Sequence, residues 1–114
     1  MGITFKENCP DIRNSKVADL VKELQGWGVT VVVTDPWADA AEVAHEYGIT
    51  LGQIGEHDKV DSLVVAVGHQ EFRALTVKQL LSHCNTDRQP VIGDLKSLFN
   101  RHDLADAGFS VFRL

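Results

Sequence analysis

Two hydrophobic periods alternate along this chain, and that alternation most limits what it can fold into. Apolar or β-branched runs stand at residues 3–5, 29–33, 49–51, 62–67, 90–92 and 109–114. Between them, apolar residues recur at helical spacing. Val17, Leu20, Val21, Leu24 and Trp27 form one stripe behind a capping Asn14 or Ser15. Ala40, Val43, Ala44 and Tyr47 form another over 38–47, and Val77, Leu80 and Leu81 a third behind Thr76. Leu95, Leu98, Phe99 and Leu104 form the fourth, over 95–107. The run Val29-Thr30-Val31-Val32-Val33 is apolar on both faces, as an interior strand of a parallel sheet is. Glycines at 26, 28, 48, 68, 93 and 108 and the pair Asp35-Pro36 punctuate the pattern. Strands alternating with helices predict an α/β class. The expectation is a three-layer, Rossmann-like domain with a mostly parallel five- to six-stranded sheet and right-handed crossovers. A length of 114 residues suits a single domain.

The formal net charge of -5 argues against broad nucleic-acid binding but leaves room for a local basic site. Cys9 and Cys84 form no CxxC pair and are expected as free thiols in a reducing compartment. No apolar run approaches the roughly 20 residues that span a bilayer. No signal-peptide pattern is present. A cytoplasmic setting without nucleic-acid or membrane partners is therefore expected. His45, His57, His69, His83 and His102 show no metal-ligand spacing, so no metal is expected. Trp27 is expected in the core and Trp37 at its edge. Residues 52–61 read as a polar loop with Glu56, Asp58 and Asp61 solvated. A receiver-like signalling domain would need acids after its first strand and an aspartate after its third. Lys6 and Gly68-His69 stand there instead.

In an open α/β sheet, ligands bind beyond the carboxyl ends of the strands. Lys6, Arg13 and Lys96 follow strand ends and are candidates to converge there. Three cations around one mouth suit a pyrophosphate. The alternative is that they are surface cations paired with Glu7, Asp11 and Asp94. No GxGxxG follows the first strand, so Asp35 reads as a turn residue and helix cap, not a ribose-binding acid.

The stretch Gly2-Ile-Thr-Phe-Lys-Glu-Asn-Cys-Pro-Asp-Ile-Arg-Asn-Ser resembles the opening of the C-terminal, UDP-binding domain of the UDP-glucose/GDP-mannose dehydrogenase family. The resemblance continues through Asp35-Pro36-Trp37-Ala38, Glu46-Tyr47-Gly48, Val67-Gly68-His69-Gln70-Glu71-Phe72, Asp94-Leu95-Lys96 and Gly108-Phe109-Ser110-Val111-Phe112-Arg113-Leu114. Cys9-Pro10 is similar to the branch that oxidises UDP-N-acetylhexosamines for capsule, O-antigen or Vi-type polysaccharides. The UDP-glucose branch more often has Thr and Asp there.

The resemblance implies a parent enzyme that takes the sugar C6 alcohol to the carboxylate, using two NAD per sugar. It implies an N-terminal NAD-binding domain, a central helical dimerisation region and a homo-oligomeric parent. Residues 1–114 would then be the C-terminal UDP-sugar-binding domain of a longer dehydrogenase. That domain would hold no catalytic residue and be inactive alone. By the same resemblance, Lys6 contacts the substrate at its UDP end and Phe5 presents backbone to it. Arg13 reaches towards the NAD phosphates. Lys96 stands where many relatives carry a UDP-binding arginine, which keeps the charge and loses the two-pronged fork. The competing reading is a stand-alone interaction or regulatory module that kept the fold and lost the ligand.

Overall fold

A computed structural model describes residues 1–53 and 59–113. Helix α1 (Lys16–Gly26) starts where Ser15 Oγ accepts the Ala18 N–H, and it buries Ala18 and Val21. Helix α2 (Ala40–Tyr47) is capped by Asp39 and ends at Gly48, whose φ of 67° is left-handed. Strand β1 (Ser62–Val65) leads to a short helix α3 (Gln70–Arg73) and then to α4 (Val77–Ser82). Strand β2 (Val91–Asp94), helix α5 (Arg101–Asp106) and strand β3 (Ser110–Phe112) complete the order. The strands pair in the order β1-β2-β3, all parallel, with Leu63 beside Ile92 and Ile92 beside Val111. The α/β class and the parallel sheet are as the alternation requires.

The sheet has three strands among the described residues, not five or six. The expected N-terminal strands form no ladder: residues 4–6 bend, and isolated bonds join the segments, the Met1 ammonium donating to Val64 O at 2.7 Å. Met1 O accepts from Ala66 N at 2.9 Å, and Gly2 N donates to Thr34 O at 2.8 Å. Val33 and Leu51 make one isolated parallel bridge. Asp35 gives the physical reason: its Oδ2 takes the Ile3 N–H at 2.7 Å and the Thr4 N–H at 3.2 Å. Those amides are therefore not available to a ladder.

Apolar burial divides into two clusters. Leu63, Val65 and Ile92 pack with Phe72, Leu80, Leu104 and Phe109 under α3–α5. Ile3, Ile12, Ala18, Val21, Val33, Val43 and Ile49 pack under α1 and α2.

Four local expectations are corrected. Val29 and Val32 are 48% and 41% exposed, so that run is not buried on both faces. Trp27 is 80% exposed because it caps α1 beyond the end of the buried stripe. Ala40 and Ala44 are exposed, and only Val43 of the α2 stripe is fully buried. Residues 95–99 are not helical: Asp94 captures the Leu98 and Phe99 amides and holds a turn. Helix α5 begins after Asn100, whose side chain caps it. Glu56, His57 and Asp58 of the expected loop, and Leu114 of the last run, lie outside the described residues. Among the described residues no helix is long and apolar enough to cross a membrane.

Candidate functional site

A cavity of about 350 Å³ opens where the first segment and β1 end, lined by Thr4, Phe5, Lys6, Glu7, Lys16, Gly68 and Lys96 among others. Lys6 and Lys96 thus meet at one hollow although 90 residues separate them in sequence. Lys16 joins them. It is the first residue of α1, directly after the capping Ser15. Its place beside a predicted helix start, itself close to the end of the first strand, was a signal that could have found it.

Among the described residues none of these three lysines forms an ion pair. The acids expected to neutralise them face other cations, although Glu7 also lines the cavity. Glu7 lies 3.8 Å from Arg73, and Asp94 lies 3.6 Å from Arg113. Arg13 behaves differently and does not line the cavity. Its Nε and Nη2 donate to the two oxygens of Asp11 at 3.0 and 2.9 Å. The hydrogen-bonded Arg13 guanidinium holds the Asp11 carboxyl down to about 2.

Buried carboxylates set both lysine-bearing loops. Asp94, fully buried, accepts from Leu98 N at 2.9 Å and Phe99 N at 3.0 Å, and so turns Lys96 outward. Asp35 holds the first segment through Ile3 and Thr4 and the next turn through Trp37 N at 2.8 Å and Ala38 N at 3.1 Å. It is therefore a turn residue, as its sequence position suggests, but the cap of α2 is Asp39. Burial pushes the Asp35 carboxyl up. Hydrogen bonds from Ile3, Trp37 and His69 outweigh that and leave it below the usual carboxylate range.

Sequence reasoning also missed His69, which is fully buried between these parts. Its Nε2 stands 3.0 Å from both Asp35 Oδ2 and Thr4 Oγ1, and its Nδ1 accepts the Asn8 N–H at 2.9 Å. The Trp37 ring stacks on it with centroids 6.1 Å apart, and the Trp37 indole donates to Glu71 at 2.7 Å. A larger hollow of about 590 Å³ lies beside Asp35, Pro36, Leu51, Phe72 and Leu75. Among the described residues no lysine or arginine lines it, so it lacks the side-chain charge that an anionic ligand needs.

The sequence pattern of the UDP-glucose/GDP-mannose dehydrogenase family, UDP binding domain, matches residues 1–101. The chain is 42% identical to UDP-N-acetyl-D-glucosamine 6-dehydrogenase of Pseudomonas aeruginosa over 100 residues, which is 88% of this chain and 23% of that protein. It is 49% identical to the Salmonella typhi UDP-N-acetyl-D-glucosamine 6-dehydrogenase over 75 residues, 66% of this chain and 18% of that one. The crystal structure of NDP-N-acetyl-D-galactosaminuronic acid dehydrogenase from Methanosarcina mazei Go1 superposes with a TM-score of 0.84 at 21% identity. That superposition covers 98% of this chain and 23% of the other. The chain spans less than a quarter of the length of these relatives. The pattern match over most of the chain decides membership: this chain belongs to the UDP-glucose/GDP-mannose dehydrogenase family, as its UDP binding domain.

Proposed function

We propose that residues 1–114 are the C-terminal UDP-sugar-binding domain of a longer, homo-oligomeric, cytoplasmic NAD-dependent UDP-N-acetylhexosamine 6-dehydrogenase serving polysaccharide biosynthesis. One observation carries the reading: Lys6, Lys16 and Lys96 share a cavity and form no ion pair among the described residues. A diphosphate entering there meets three lysines outside any ion pair among the described residues, against the single lining carboxylate of Glu7. In a chain of net charge -5, such a concentration of unpaired cations marks a place for an anion. Lysine supplies charge with rotatable donors, so the site tolerates more than one phosphate orientation, where arginine would impose a planar fork. The Phe5 N–H is spent on Asp11 O at 2.7 Å. Phe5, 61% exposed, therefore offers a ligand its carbonyl and its side chain.

An NAD site does not fit within this domain. The loop after the first segment is Phe5-Lys6-Glu7-Asn8, without the glycines that admit a pyrophosphate against backbone. The Phe5 and Asn8 amides are already bonded, to Asp11 O and His69 Nδ1. NAD in this proposal is held mainly by the parent's other domain. Arg13 contributes from the edge, with Nη1 unbonded among the described residues while Nε and Nη2 hold Asp11. The role left to this chain is to bind and orient the nucleotide end of the substrate. The sugar C6 reacts elsewhere in the parent.

Titration of UDP into the isotope-labelled chain at low salt tests this reading. Amide shifts are expected at residues 4–8, 16 and 93–97, and Lys6→Ala should remove most of the response. No shifts at millimolar UDP, or an unchanged response in Lys6→Ala, would refute it.

A further inference from the structure

We propose that His69 is a positioning residue for Lys6, acting as a neutral imidazole protonated on Nε2. The inference rests on the reading that Lys6 meets the UDP diphosphate.

His69 touches the Phe5-Lys6-Glu7 loop on both sides, at Thr4 before it and at Asn8 after it. The Asn8 N–H points at Nδ1 at 2.9 Å, so Nδ1 must present its lone pair. The ring proton is therefore on Nε2, 3.0 Å from Asp35 Oδ2 and 3.0 Å from Thr4 Oγ1. Thr4 donates its own hydroxyl proton to Lys6 O at 2.9 Å, which leaves Thr4 Oγ1 an acceptor towards the ring. Every donor in this chain of bonds has an acceptor, and the chain ends on the Lys6 carbonyl. The other tautomer would set the Nδ1 proton against the Asn8 proton and leave Nε2 without a proton against Asp35.

The loop needs such a hold. Asn8 has φ of +53°, a left-handed conformation that asparagine adopts more readily than most residues but that its surroundings must select. Its side chain accepts the Gln70 N–H at 2.8 Å, so the residue following His69 clamps the same corner. The ring itself packs against Trp37 and Phe72, with centroids 6.1 and 5.5 Å away. A fully buried imidazole with both nitrogens committed to one loop and one carboxylate has no freedom for anything but a fixed geometry. That geometry sets where the Lys6 side chain leaves the backbone.

Imidazole-nitrogen NMR of the labelled chain, with and without UDP, tests the proposal. The expected result is the Nε2-protonated tautomer at neutral pH, with Nδ1 in the acceptor range and unchanged by UDP. An Nδ1-protonated ring or an imidazolium would overturn it. His69→Phe keeps an aromatic ring against Trp37 and Phe72 but removes both nitrogens. It should bind UDP about tenfold more weakly or worse while the β1–β3 amide pattern persists. Undiminished affinity in folded His69→Phe, with Lys6→Ala impaired, would overturn the positioning role and leave the proposed function standing. Absence of UDP binding in the unmodified chain would sink the proposed function and the coupling together. Should His69→Phe fail to fold, the tautomer and the Asn8 amide shift in the unmodified chain decide.

Discussion

Replacing Asp94 with alanine should cost more than any surface change near the cavity. The side chain has no solvent exposure. Its oxygens accept the Leu98 amide at 2.9 Å and the Phe99 amide at 3.0 Å, and the Arg113 guanidinium stands 3.6 Å away. Truncation orphans two backbone donors, each worth about 1–3 kcal/mol when left unsatisfied. Arg113 also bonds the Phe99 carbonyl and keeps 26% side-chain exposure, so losing its carboxylate adds less than a fully buried pair would. The expected loss is about 3–5 kcal/mol from a domain whose total stability should be about 5–15 kcal/mol. Asp94→Asn keeps one acceptor and turns an NH2 towards the other amide, so its expected loss is smaller, about 2–4 kcal/mol. Urea unfolding followed by tryptophan fluorescence, with linear extrapolation, measures both losses. The loop bearing Lys96 loses its anchor in the same variants. UDP-induced shifts at 93–97 should shrink while those at 4–8 persist. A loss below about 1 kcal/mol in Asp94→Ala would refute the reasoning, because it would mean that water satisfies both amides as well as the carboxylate does.

Thr76→Ala removes a complete capping box, in which Thr76 Oγ1 accepts from Gln79 N at 3.1 Å and Gln79 Oε1 from Thr76 N at 2.8 Å. The same urea experiment should show a loss of about 1 kcal/mol. Asp35 gives the fold an acid-sensitive term, because its folded carboxyl titrates below its unfolded value. Its contribution is full above about pH 4 and is lost as pH falls through the lower, folded value, so stability measured from pH 7 downward should drop less steeply on the acid side in Asp35→Asn.

Local chemistry written in the chain was enough for the class of fold. The alternation of β-branched runs with helical stripes required an α/β domain. Thr76 starts the helix it was read to start, and of the two candidate caps Asn14 and Ser15 it is Ser15 that caps α1, because capping needs only residues three apart. Lys6 and Lys96 were read as following strand ends; Lys96 follows β2, Lys6 follows a segment that forms no strand, and the cavity still holds both. Tertiary structure decided the rest, through side chains that reach backbone far away in sequence. Ile3 and Thr4 have strand-forming residues, yet Asp35, 32 and 31 positions on, takes their amides and interrupts the ladder. Residues 95–99 have helical spacing, yet the Asp94 carboxylate claims the amides of Leu98 and Phe99, and a turn wins. Arg13 left the cavity for Asp11, and Lys16 entered it. His69 looked like one of several unremarkable histidines until packing closed Asp35, Thr4 and Asn8 around it. Hydrophobic period is a property of neighbours along the chain. The destination of a buried polar group is set by which distant segment packing brings within 3 Å of it.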